Sequence, residues 1–202
     1  MTTLAEIRLW GRTIGAVALE DGARTATFEY NPPFIGSGIA LSPLMMPLQR
    51  RIYRFPELPQ QTFHGLPGLL ADSLPDRFGN ALIDAWLARQ GRAADSFNSV
   101  ERLCYIGQRG MGALEFAPIT GPAMREGGTI EIDVLVALAS EVMTQRQELQ
   151  GSLTDRRRED ALRDMLRVGT SAGGARAKAI IAWHPQTHEV RSGQVAADQG
   201  FE

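Results

Sequence analysis

The chain has 202 residues, 44% of them apolar, which is enough for one large domain or two small ones with ordinary cores. Twenty-one basic side chains against 23 acidic ones leave a net charge of −2, which excludes a broad cationic field for nucleic acid and leaves any DNA contact to a local patch or a partner. The single cysteine, Cys104, excludes an internal disulfide or thiolate cluster, and no run approaches the ~20 apolar residues of a membrane span or the layout of a leader peptide, so a cytoplasmic protein without a membrane anchor is expected.

The opening reads as an antiparallel meander. Ile7 and Leu9 alternate with polar neighbours before Gly11-Arg12, residues 14–19 run on to a second turn at Asp21-Gly22, and a third strand covers residues 25–30. Asn31-Pro32-Pro33 stops it, because proline cannot continue a ladder and restricts the residue before it. Residues 36–59 are rich in proline, glycine and methionine without a helical period, and read as extended loop with short edge strands.

Helical periodicity starts near Pro75, a residue suited to a first turn, and continues through Phe78, Leu82, Ile83, Trp86 and Leu87 to Gly91. Ser96 can cap a shorter helix carrying Val100, Leu103 and a buried Cys104. Glycine-rich residues 106–112 lead to a strand over 113–117, and residues 118–128 form the candidate linker. Two further helices are expected, one near 131–149 on Ile132, Leu135, Val136, Ala139, Val142 and Met143, one over 155–167 on Ala161, Leu162, Met165 and Leu166. Residues 178–183 alternate toward a strand that residues 189–193 can pair with across Pro185-Gln186-Thr187. The fold class is therefore α+β, divided into residues 1–120 and 129–202.

The stretch with the most chemistry is Val168-Gly169-Thr170-Ser171-Ala172-Gly173-Gly174-Ala175-Arg176-Ala177-Lys178, followed by an apolar run. Small residues before a strand let successive backbone amides approach an anion, and a terminal lysine adds charge, which suits a nucleotide phosphate. The same glycines also suit a tight turn, and Ser171 a local backbone bond. No Gly-Lys-Ser/Thr follows, so this is not a P-loop; a glycine-rich cover running into a strand is the kinase arrangement. The histidines His64, His184 and His188 are too scattered to suggest a metal site. Arg156-Arg157-Arg158, beside Glu159 and Asp160, reads as a solvated helix face, and Met45-Met46, Trp10, Trp86 and Trp183 as core or interface packing.

Ser171 with Gly173, Gly174 and Lys178 resembles the S-I-A-G-A-Q-E-K loop of HipA-like serine/threonine kinase toxins, departing from it at Arg176 and Ala177. The order of other segments is similar too. Leu9-Trp10-Gly11-Arg12-Thr13-Ile14-Gly15 resembles that family's opening turn, Phe28-Glu29-Tyr30 the close of its hairpin, and Ser42-Pro43-Leu44 to Pro47-Leu48 a following strand. Leu74-Pro75-Asp76 resembles a helix start and Ile106-Gly107 to Gly112-Ala113-Leu114 a later turn. The resemblance implies an N-terminal β-rich subdomain followed by the start of a kinase-like lobe. It implies a nucleotide loop of Ser171, Ala172, Gly173, Gly174, Ala175 and Lys178, with Ser171 the autophosphorylation site and Thr170 its nearest competitor. ATP and Mg²⁺ would serve the full-length protein, whose substrate would belong to the translation machinery. A HipB-like helix-turn-helix antitoxin would be the partner, bringing DNA contact indirectly. The family's catalytic and metal-binding aspartates lie beyond the matching segment, so the 202 residues are expected to be inactive alone. A non-catalytic, antitoxin-binding module is the alternative.

Overall fold

The structure, a computed structural model, describes residues 1–93, 96–110, 112–121, 181–192 and 200–201. The chain divides into two compact units: Met1–Leu74 with Phe97–Gly121, and Pro75–Ser96 with Pro122–Glu202.

The first unit is built on a five-stranded antiparallel sheet. β1 (Thr2–Leu9) and β2 (Arg12–Glu20) form a hairpin, β3 (Thr27–Tyr30) and β4 (Ile52–Tyr53) extend it on one side, and β5 (Leu114–Ala117) joins β1 on the other, giving the order β4-β3-β2-β1-β5. Leu9 pairs with Arg12, so Trp10-Gly11 is a two-residue loop. Both residues have positive φ, 49° and 75°, the conformation that matches hairpin twist. Residues of period two turn one face inward: Ala5, Ile7 and Leu9 of β1 are buried with Phe28, Tyr30 and Phe116. A glycine is required at position 15, because a Cβ there would meet the Phe28 ring at 2.8 Å and the Glu29 carbonyl.

The inward face is covered by α5 (Ser99–Ile106), whose Val100, Leu103, Cys104 and Ile106 join the same core. Burying each aliphatic or aromatic side chain of this kind contributes roughly 1.5–3 kcal/mol. The helix starts at a capping box: Glu101 N donates to Asn98 Oδ1 at 2.9 Å and Asn98 N to Glu101 Oε2 at 2.8 Å. Asn98, not Ser96, is the cap. At the other end Gly107 donates to Leu103 O, and the buried Arg109 guanidinium donates to the carbonyls of Tyr105 and Ile106 while lying 4.8 Å from the Tyr105 ring. The guanidinium adds to the Arg109 backbone amide, which also donates to Ile106 O at 3.0 Å, in closing the end of the helix.

Between β3 and α5 the first unit adds three single-turn helices, α1 (Pro32–Ile35), α2 (Gln60–Phe63) and α3 (Gly68–Ala71). Pro32-Pro33 ends the strand as expected and also opens α1, where Phe34 is fully buried. Residues 36–51 are a loop with one bridge, Ser42 to Met46. Its base is tied to the core by two tyrosines: Tyr30 Oη donates to Met46 O at 2.9 Å, and Tyr53 Oη donates to Pro47 O. Phe28, Tyr30, Phe34 and Tyr53 pack as one aromatic group, with ring centroids 4.8 to 6.5 Å apart.

Met46 is buried, but Met45 and Trp10 are exposed, at 57% and 79%, and so are not core residues. Trp10 sits at a turn tip, whose side chains point away from the sheet. Cys104 is buried as expected.

In the second unit α4 (Arg77–Arg89) is capped by Asp76, which accepts from Gly79 N at 2.8 Å; Pro75 therefore precedes the cap instead of occupying the first turn. Phe78, Leu82, Ile83, Ala85 and Leu87 are buried, the stripe that the period of 3.6 demands. β6 (Ile181–Trp183) and β7 (Val190–Ser192) form an antiparallel hairpin, Ile181 opposite Ser192 and Trp183 opposite Val190. The expected helices near 131–149 and 155–167 lie outside the described residues.

Candidate functional site

The sequence-derived nucleotide loop, Ser171, Ala172, Gly173, Gly174, Ala175 and Lys178, together with Thr170, lies outside the described residues. The hairpin that follows it in sequence is described. Its turn is closed by His184 N donating to Glu189 O at 3.0 Å and His188 N to His184 O at 2.8 Å. His184 Nδ1 accepts from the backbone amides of Gln186 and Thr187, each at 3.3 Å, and its ring stands edge-on to Phe201 at 5.2 Å. Arg191 pairs with Glu189 at 2.8 Å and covers Phe201 at 4.5 Å. The turn thus engages the ring nitrogen of His184 in local backbone bonding.

In the first unit burial and local hydrogen bonds shift several titratable groups. Burial, reinforced by Glu101, pushes the Cys104 thiol up to about 11, so it is neutral near pH 7 and is no thiolate nucleophile. Burial likewise pushes Tyr30 and Tyr105 up to about 12. On the outer face of the hairpin, Glu6 accepts from Arg8 Nε at 2.6 Å and Thr13 Oγ1 at 2.8 Å; these hydrogen bonds hold its carboxyl below the usual range and raise Arg8. Among the described residues no group of three or more His, Cys, Asp and Glu side chains could hold a metal ion. No described helix is long and apolar enough to cross a membrane.

What the sequence pattern missed is a surface feature. Leu44 and Met45 project from the loop whose base the two tyrosines hold, and Ile52 projects from the edge strand β4. Between Glu29 and Glu57 the sequence has three arginines, Arg50, Arg51 and Arg54, and no acidic residue. That local charge bias was the available signal.

No curated protein and no solved structure matches the chain. The family model of the HipA N-terminal domain matches residues 5–117, a span that opens within β1, takes in the rest of the five-stranded sheet with its capped α5, and closes at the end of β5. Because that match covers more than half of the 202 residues, the chain belongs to the HipA family through its N-terminal domain.

Proposed function

We propose that the chain is the N-terminal part of a HipA-like serine/threonine kinase toxin that uses ATP and Mg²⁺ to phosphorylate a protein of the translation machinery, and itself on Ser171. The observation that carries this reading is the order of features along the chain. A HipA N-terminal domain over residues 5–117 is followed by the Ser171 to Lys178 motif, which runs into the β6–β7 hairpin. In that reading the amides around Gly173 and Gly174 meet the nucleotide phosphates and Lys178 adds positive charge. The catalytic and metal-binding aspartates would belong to a part of the kinase lobe outside these residues. The site of action is the cytoplasm.

The test is nucleotide binding by the full-length gene product. Replacing Gly173 and Gly174 by valine crowds the amides and should abolish ATP binding in calorimetry while leaving the first unit folded. Unchanged ATP affinity would mean that the glycines only make a turn.

A second reading is favoured by the first unit's self-contained core: the N-terminal domain serves as a non-catalytic module holding a HipB-like helix-turn-helix antitoxin, through which DNA is contacted. Co-purification of the chain with a helix-turn-helix protein encoded beside it, in the absence of nucleotide, tests it.

A further inference from the structure

We infer that the loop and edge strand from Leu44 to Arg54 form a docking surface for an acidic, extended protein segment that adds alongside β4. The inference is independent of the nucleotide loop and of the identity of any antitoxin.

The surface has three parts. Leu44 is 92% exposed, Met45 57% and Ile52 62%. Single exposed apolar residues are ordinary, but three within nine positions of sequence are a local concentration. The loop carrying the first two is held by the hydrogen bonds from Tyr30 and Tyr53 to Met46 and Pro47, and Met46 itself is buried. Leu44 and Met45 are therefore presented by an anchored turn, which lowers the ordering cost of binding.

The second part is charge. Arg50, Arg51 and Arg54 are exposed around Ile52, against one acidic neighbour, the exposed Glu29 that lies directly opposite Ile52 on β3, on a chain whose net charge is −2. Arg51 lies 4.9 Å from the Tyr53 ring centroid, which orients its guanidinium beside the strand. A partner carrying carboxylates fits this field.

The third part is the strand. β4 is at the end of the sheet order and is hydrogen-bonded to β3 alone among the described strands. An edge strand takes a further strand through its backbone groups, with alternate side chains of the incoming segment meeting the two kinds of side chain displayed here. A lipid surface offers phosphate acceptors but no matching row of alternating N–H donors and carbonyl acceptors, which favours a peptide over an anionic membrane.

The experiment uses the 202-residue chain and a synthetic extended peptide alternating glutamate with leucine, with a lysine–leucine peptide as the charge control. The glutamate peptide should bind in calorimetry and shift the backbone amide resonances of residues 50–54, and the lysine peptide should not bind. Arg50→Glu with Arg54→Glu, and separately Leu44→Ser with Met45→Ser, should each weaken binding by about tenfold or more. Leu4→Ser, an exposed apolar change at the opposite end of β1 from its turn, should leave it unchanged. Circular dichroism checks that each variant is folded. Failure of the glutamate peptide to bind, equal binding of the lysine peptide, or insensitivity to the paired variants would overturn the inference. So would cosedimentation with phosphatidylserine vesicles, lost in the arginine variant, without peptide binding, since that outcome assigns the surface to a membrane.

Discussion

The Tyr30 hydroxyl donates to the carbonyl oxygen of Met46 across 16 positions of sequence, at 2.9 Å and in a buried setting. This bond ties the end of β3 to the loop that displays Leu44 and Met45. Tyr30→Phe removes the donor but leaves the Met46 carbonyl buried, so the cost is that of an unsatisfied acceptor, about 1–3 kcal/mol. Urea unfolding should show a lower midpoint with an unchanged slope.

The same residue predicts a pH dependence. Burial is the larger cause of the shift in Tyr30 and the neighbouring Tyr53 the smaller, together raising its pKa from 10.0 to about 12; Tyr105 is raised to the same range. A phenol whose folded pKa lies above its unfolded value stabilises the fold fully below about pH 10, and that contribution is lost as pH rises towards 12. Stability attributable to these groups should therefore be flat from pH 7 to about 9 and fall between about 10 and 12. Tyr30→Phe should make the fall shallower, with Tyr105 still contributing; an unchanged slope in denaturation curves across that window would contradict the assignment.

Gly15 and Gly11 should respond oppositely to substitution. A Cβ at Gly15 would meet the Phe28 ring at 2.8 and 2.9 Å and the Glu29 carbonyl, and the backbone part of that contact belongs to a paired strand. Gly15→Ala should cost about 3 kcal/mol or more by overpacking. Gly11 has nothing within 4 Å of its virtual Cβ, at φ +75°, so Gly11→Asn, a residue that tolerates the left-handed region, should cost about 1 kcal/mol or less. Thermal melts of the two variants make the comparison.

What was legible in the sequence followed from local periodicity. Ile7 and Leu9 announce β1, Gly11-Arg12 the turn, one residue beyond the Trp10-Gly11 loop that forms, and Phe78 to Leu87 the buried stripe of α4. The β6–β7 pairing across Pro185-Gln186-Thr187 was equally readable. The four-residue helices α2 and α3 were not, since one turn is too short to show a period. The place of β5 beside β1 is a long-range pairing, Ile7 opposite Phe116, which no local pattern encodes. Ser96 and Asn98 are both capping residue types; the position of Glu101, three residues after Asn98, decides between them. Trp10 and Met45 read as core or interface packing, and their exposure removes the core alternative; an apolar residue in a turn carries no sign of its direction. For the candidate site, only the motif from Ser171 to Lys178 is legible, as chemistry without geometry.

Asn98 is the next test of that local logic. Its side chain accepts from Glu101 N and also donates through Nδ2 to Thr3 Oγ1 at 2.8 Å, so it starts α5 and joins it to β1. Asn98→Ala should cost about 1–2 kcal/mol, and Asn98→Asp less, because the carboxylate keeps the cap and favours the helix N-terminus. Equal losses in the two variants, measured by urea unfolding, would place the main contribution in the bond to Thr3.

Ser171 provides the test of regulation within the proposed function. A phosphate there adds nearly two negative charges to a segment whose glycines and Lys178 would otherwise face the phosphates of ATP, so modification and nucleotide binding should oppose one another. With radiolabelled ATP, the full-length gene product should label itself, and peptide mapping should find the label on Ser171. Ser171→Ala should remove it and Thr170→Ala should not. Ser171→Asp should weaken ATP binding, whereas Ser171→Ala should leave affinity close to that of the parent, because the alanine adds neither charge nor bulk. Label on Thr170 would move the switch by one residue. Equal ATP affinity in the aspartate and alanine variants would leave Ser171 as a turn residue whose hydroxyl bonds its own backbone.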